Sequence, residues 1–203
     1  MKALDRLTSI LGLAAGYRLF GRMVRGRATE IYLAQYVRPK TGDRVLDIGC
    51  GPGDILNYLR AVEYTGFDIS PEYVAAAEKR FGRRGRFFCG DVGTTLLPQE
   101  GWYDIALATG VVHHLDDEVA GRLFHLARRA LKPEGRLITF DGCYEPGQSA
   151  FARWMLDHDR GKFVRRQSDY TRLASESFSR VEGSLRHDLL RIPYTHLILS
   201  CRK

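Results

Sequence analysis

The stretch Val45-Leu46-Asp47-Ile48-Gly49-Cys50-Gly51-Pro52-Gly53-Asp54 sets an apolar run directly before three glycines and flanks them with carboxylates. Glycines at such a point let the backbone turn sharply and let a ligand approach the main chain closely. A dinucleotide site has the same need, so the glycines alone do not name the ligand. Asp54 stands where a helix N-terminus would greet a phosphate, and it takes the place of the third glycine of a GxGxxG pattern. A carboxylate there repels a pyrophosphate. With Asp47 just before the turn, the acidic loop suits a cationic ligand better.

A second group with chemical capacity is His113-His114. A histidine can take a proton from a hydroxyl or amine near neutral pH. Adjacent side chains diverge, so one of the two is expected to face a substrate while the other packs or bridges backbone groups. Asp141 and Tyr144 follow the fifth expected strand, where either could orient a substrate amine or hydroxyl; a turn-forming Asp and a packed Tyr are the alternatives. The histidines with Asp116, Asp117 or Asp141 could form a metal site, but no ligand spacing compels one, and none is expected. Cys50, Cys89, Cys143 and Cys201 lie far apart without a CxxC or zinc spacing, which argues against a disulfide framework and places the chain in the cytoplasm.

These residues need elements to hold them. Short β-rich runs at Arg44–Ile48, Glu63–Asp68, Gly85–Cys89, Tyr103–Thr109 and Arg136–Phe140 alternate with helical patterns at Asp54–Ala61, Pro71–Phe81 and Asp117–Leu131. That alternation predicts an α/β fold with a mostly parallel sheet and helices on both faces. Two further runs, Ser179–His187 and Thr195–Arg202, have only a short turn with Ile192-Pro193-Tyr194 between them and predict an antiparallel hairpin. Residues 1–41 read as an N-terminal helical lid over the open mouth of the sheet, 42–146 as the core, 147–178 as a substrate-side insertion and 179–203 as the hairpin, all in one domain. The insertion should hold a helix at Ser149–Asp157, a basic loop with Arg160, Lys162, Arg165 and Arg166, and the start of another helix.

The order and spacing of these motifs resemble the class I, Rossmann-like S-adenosylmethionine-dependent methyltransferases, whose first motif reads much like VLDIGCGPG. Tyr64-Thr65-Gly66-Phe67-Asp68-Ile69-Ser70 is similar to the end of their second strand, and Phe88-Cys89-Gly90-Asp91-Val92 to their third-strand motif. Tyr103–Thr109 and Val112-His113-His114-Leu115 resemble the fourth strand and the loop after it, and Leu131-Lys132-Pro133-Glu134-Gly135 the turn into the fifth. The resemblance covers roughly residues 42–140. It implies a three-layer fold and S-adenosyl-L-methionine as cofactor, with S-adenosyl-L-homocysteine as product. It also implies that Asp47, Gly49, Cys50 and Gly51 form the cofactor loop and that Asp68 takes both ribose hydroxyls, as a carboxylate can. Ile69, Asp91 and Val92 would then flank the adenine, and the backbone at Thr109 and Gly110 would meet the methionyl amine. Tyr17, on the expected lid, is a candidate to close over the cofactor.

The acceptor is narrowed by absences. Thr109-Gly110-Val111-Val112 replaces the Asp/Asn-Pro-Pro-aromatic sequence that such enzymes of bases and glutamine carry after the fourth strand, and no Pro-Cys occurs there. The remaining resemblance is to the group acting on small molecules, including quinone-biosynthesis enzymes. Methyl transfer to O, N or C of a small, anionic-tolerant metabolite is the leading expectation. The formal net charge of +7 keeps RNA or protein open as acceptors, though neither is favoured. A non-catalytic cofactor-binding module is the alternative of a different class, and a nicotinamide-dependent oxidoreductase is disfavoured by Asp54. At 203 residues, 44% hydrophobic and 27% charged, the chain is sized for one globular core, with no membrane span expected.

Overall fold

The structure is a computed structural model that describes residues 27–92, 99–159 and 161–203. Strands β1 (Arg44–Ile48), β2 (Glu63–Asp68), β3 (Gly85–Cys89) and β4 (Tyr103–Thr109) keep the bounds read from their apolar runs. β5 (Leu131–Tyr144), the two-residue β6 (Arg165–Arg166), β7 (Arg180–Arg186) and β8 (His196–Arg202) complete the sheet. Its order is β3-β2-β1-β4-β5-β8-β7, with β6 paired to β5 off that path. β1 through β5 run parallel, while β8 lies antiparallel to both β5 and β7. The chain therefore reverses its order of travel between β1 and β4, where ligands lodge in open parallel sheets.

Alternate residues of the central strands feed two separate cores, which makes three layers. Leu46, Ile48, Ala106, Ala108 and Leu137 pack toward one side with helix α3 (Asp117–Ala130) and helix α5 (Gln167–Ser175). Val45, Ile105, Leu107 and Ile138 pack toward the other with helix α1 (Ala28–Tyr32) and helix α2 (Pro71–Phe81). α2 starts as its local sequence requires: the Ser70 side chain accepts from Tyr73 N, and Pro71 takes the first turn. Helix α4 (Ala150–Asp157) sits in the insertion, capped by Ser149 accepting from Ala152 N.

Three expectations change, and the lid expected over 1–41 lies mostly outside the described residues. Only a 3-10 turn, Asp54–Asn57, forms where a helix to Ala61 is expected. Past it the backbone leaves the helical region, Ala61 taking φ of 52°, and the carbonyls of Leu59 and Ala61 are met by Arg84 and by Gly42 N. β5 runs on to Tyr144 because Asp141 and Gly142 pair with β8 and Cys143 and Tyr144 pair with β6, so Asp141 and Tyr144 lie within the strand rather than after it. The β7–β8 connection covers residues 187–195 and is no tight turn. The described part of the N-terminal segment, α1 with the π turn Leu33–Val37, packs on a sheet face: Tyr32 donates to Ile138 O at 3.2 Å, and Arg136 donates to Val37 O. No helix among the described residues is long and apolar enough to cross a membrane.

Candidate active site

Every strand of the parallel part delivers its C-terminal end to one rim. At the end of β1 the Gly49 and Cys50 amides both donate to Phe67 O, at 2.8 and 3.0 Å, tying the glycine loop to β2. Gly49 has φ of 71°, and a Cβ there would lie 2.6 Å from Val111 Cγ2. Glycine is required because the loop touches the segment after β4. Gly51 also has positive φ, but a Cβ on it would meet nothing within 4 Å. That backbone faces open space, as a surface that receives a ligand must.

Asp68 ends β2 and accepts from Gly51 N at 2.8 Å on Oδ2 and from Ser70 N at 2.9 Å on Oδ1. Each oxygen keeps a further lone pair. Beside it Ile69 is 68% exposed, and Gly90 N donates to Asp68 O, drawing the exposed Asp91 and half-buried Val92 toward the same rim. Thr109, exposed at the end of β4, donates to the Tyr32 hydroxyl at 3.4 Å, and Gly110 N donates to Phe140 O. Tyr17 lies outside the described residues, so the aromatic seen at this rim from the N-terminal segment is Tyr32.

Asp47 is buried on the α1–α2 side and accepts a 2.5 Å hydrogen bond from the Tyr64 hydroxyl. Burial pushes its carboxyl up to about 7; the Tyr64 hydrogen bond opposes that shift and the Asp68 charge adds to it. Burial also pushes the Cys50 thiol well above its ordinary value, which removes it as a nucleophile. Asp54 is exposed and ion-paired with Arg80 at 2.7 Å.

The two histidines diverge as expected. His113 is buried, with Nδ1 2.7 Å from Asp141 Oδ1 and its own backbone amide on the same oxygen at 3.2 Å. His114 is exposed at the rim and lies tilted against His113, ring centroids 4.2 Å apart. Asp141 and His113 are thus brought together. Tyr144 is not part of that cluster, since its hydroxyl donates to Asp157 of α4 at 2.7 Å. Arg165 is no solvated charge: it donates to Val112 O, Leu115 O and Phe163 O and pairs with Asp117, clamping the turn that carries both histidines. No group of three or more potential metal ligands occurs among the described residues.

Sequence reading did not single out Tyr64, Tyr32, Asp159, Tyr194 or the clamping role of Arg165. Tyr64 had one faint signal: β2 places Gly66 opposite Asp47 and Tyr64 opposite Val45, on the same face. Without the register that adjacency is invisible.

Residues 45–135 match the family described as methyltransferase domain. The chain is 30% identical over 148 residues to phosphoethanolamine N-methyltransferase of Triticum aestivum, covering 68% of this chain and 29% of that relative. It is 30% identical over 111 residues to cyclopropane-fatty-acyl-phospholipid synthase of Escherichia coli K12, covering 51% of this chain and 27% of the relative. It therefore spans under a third of either. The TehB-like SAM-dependent methyltransferase of Corynebacterium glutamicum superposes with a TM-score of 0.68 at 18% identity, over 95% of this chain and 97% of that one. That last likeness concerns the fold.

Proposed function

The chain belongs to the class I, S-adenosylmethionine-dependent methyltransferases, and from that premise we propose that it transfers a methyl group to O, N or C of a small metabolite. The observation that carries this reading is the joint between Gly51 N and Asp68 Oδ2, which sets an open glycine loop and a carboxylate on one rim beside His114. The residues fit the cofactor: Gly51 leaves its approach open, Asp68 has lone pairs left for two ribose hydroxyls, Ile69 offers apolar surface to the adenine, and Asp47, where ionised, adds negative charge behind the loop. When bound, S-adenosylmethionine supplies an electrophilic methyl on a sulfonium.

The chain's own work is placement and proton handling. The backbone at Thr109 and Gly110 would meet the methionyl amine of the cofactor, and the exposed ring of His114 takes the proton that the attacking hydroxyl or amine gives up. Two relatives carry names that speak of phosphoethanolamine and of fatty-acyl phospholipid. They support a small or lipid-like acceptor with a phosphate, and exposed Lys162 and Arg166 on the insertion favour an anionic group. RNA or protein remains the second reading on charge alone.

The test is transfer of labelled methyl from S-adenosylmethionine into cell extract fractionated into small molecules, lipid, RNA and protein, alongside calorimetric binding of S-adenosylhomocysteine. Label in the small-molecule or lipid pool is expected. Label confined to RNA or protein overturns the acceptor class. Cofactor binding with no label in any pool would favour a non-catalytic module.

A further inference from the structure

We propose that Asp159 and Tyr194 hold His113 as an imidazolium between two carboxylates, and that Gly161 and Phe163 are fastened over the histidine turn only while that ring carries its proton. This deepens the methyl-transfer reading and rests on it, because the turn so fastened presents His114.

The geometry comes from four parts of the chain. Asp141 of β5 faces His113 Nδ1 at 2.7 Å, and Asp159, just after α4, faces Nε2 at 3.7 Å. Asp159 is itself aimed: its Oδ2 accepts from the Tyr194 hydroxyl at 2.7 Å and its Oδ1 from Gly161 N at 3.1 Å. The loop closes on the turn through Phe163 N, which donates to His113 O at 2.9 Å. Gly161 lies against the ring so closely that a Cβ would come 1.9 Å from Cδ2. No side chain but hydrogen fits there, so the loop is shaped to the imidazole.

A neutral imidazole has one donor and one acceptor nitrogen. With a carboxylate at each nitrogen, the neutral ring would turn a lone pair toward one of them in a site where the His113 side chain is 8% exposed. The imidazolium donates to Asp141 from Nδ1 and presents its charged Nε2–H to Asp159 at ion-pair distance. Other titratable or charged groups near it are the His114 imidazole against the ring and the buried His196 next to Tyr194; on the elements packed against the turn, Tyr170 of α5 donates to Gly142 O and Arg165 to Val112 O. Burial holds His196 neutral, at about 4, and Asp117 offsets Arg165. For His113, burial pushes the ring toward neutrality, but the Asp141 hydrogen bond and the charges of Asp141 and Asp159 outweigh it and raise it above the ordinary histidine value. A raised folded-state value means the fastening is complete below the ordinary histidine pKa and is lost as pH rises through the raised one. A ring protonated on both nitrogens has no lone pair for an acceptor's proton, which leaves that task to His114 and makes Asp159 and Tyr194 positioning residues.

The experiment follows the His113 ring by NMR from about pH 5 to about pH 9, and in the same samples the hydrogen exchange of the Phe163 amide. The full chain is compared with Asp159→Asn and Tyr194→Phe, and S-adenosylhomocysteine affinity is measured separately. In the unaltered chain the ring should titrate above ordinary histidine, and Phe163 should lose protection at the same midpoint. Asp159→Asn should move both midpoints down together, Tyr194→Phe should move them less, and Asp159→Glu should restore them. Reduced Phe163 protection at every pH with an unmoved midpoint would reduce Asp159 to packing and overturn the proposal, as would a His113 ring that titrates at or below the ordinary value. Loss of cofactor binding or of methyl transfer would count against the functional reading while leaving these midpoints where they are.

Discussion

Replacing Asp47 with Asn should stabilise the fold at alkaline pH while weakening cofactor binding. Asp47 is 3% exposed and its partner is the Tyr64 hydroxyl at 2.5 Å. Burial lifts its carboxyl from 3.8 to about 7, so the unfolded chain gives up this proton well before the folded one does. Folding stability attributable to Asp47 is therefore full below its unfolded value and is lost as pH climbs toward the folded one. Each pH unit across that window removes about 1.4 kcal/mol, and the whole shift is about 4 kcal/mol. Asn keeps an oxygen for Tyr64 to donate to and carries no charge. Urea unfolding of both proteins at a series of pH values should show the variant gaining on the parent by about 1.4 kcal/mol per unit between roughly pH 4 and pH 7, then levelling off. A Tm difference of several degrees would accompany it at pH 8. S-adenosylmethionine affinity, by calorimetry, should fall because the loop has lost its charge. A stability difference that stays flat with pH would refute the buried-carboxylate reasoning, whatever its absolute size.

Three other changes separate the parts of the site. Asp68→Asn leaves one amide facing an N–H and removes a charged acceptor, so S-adenosylhomocysteine binding should weaken by about 1.5–3 kcal/mol; unchanged affinity in calorimetry would rule out the ribose assignment. His114→Ala should lower kcat at saturating cofactor while the cofactor Kd stays put, and equal losses in both would point to packing instead. Arg165→Ala removes the donors to Val112 O and Leu115 O and unpairs Asp117, and should lower stability by about 2–4 kcal/mol in urea; a loss under about 0.5 kcal/mol would show a surface charge.

The sequence was most legible where structure is local. β1 and β4 are central strands buried on both faces and read as mostly apolar runs that stop at a glycine or a threonine, whereas β2 and the edge strand β3 leave part of their length exposed. The start of α2 is written in Ser70-Pro71, and that of α3 in Asp116, whose side chain accepts from Val119 N. Asp68, the glycine loop and the histidine pair fall at strand ends, and a parallel sheet brings all strand ends to one rim without further information. What failed is non-local. The segment after Gly53 has helix-forming residues, yet it stops after a 3-10 turn and Ala61 takes φ of 52°, where its carbonyl meets Gly42 N of the segment leading into β1. The length of β5 depends on β6 and β8 lying beside it. Asp159 and Tyr194 stand in stretches without a motif, 46 and 81 residues from the His113 they serve, and only the folded insertion joins them.

The turn 111–115 is held from two sides, and this bears on how the site works. On one side Val111 fills the space that a side chain at Gly49 would need, so the glycine loop and the histidine turn share one contact. On the other, Arg165, Phe163 and Gly161 of the insertion grip the backbone of the same turn. A movement of the glycine loop on cofactor binding would therefore reach His114 through Val111 before it reached the insertion, while a change in the insertion would reach His114 through Arg165 without touching Gly51 or Asp68. The two couplings run through different residues, one through Gly49 and Val111 and the other through Arg165, Phe163 and Gly161. Alteration of the insertion should thus alter acceptor handling and leave cofactor affinity nearly intact, whereas Gly49→Ala, which would push Val111 aside, should disturb both.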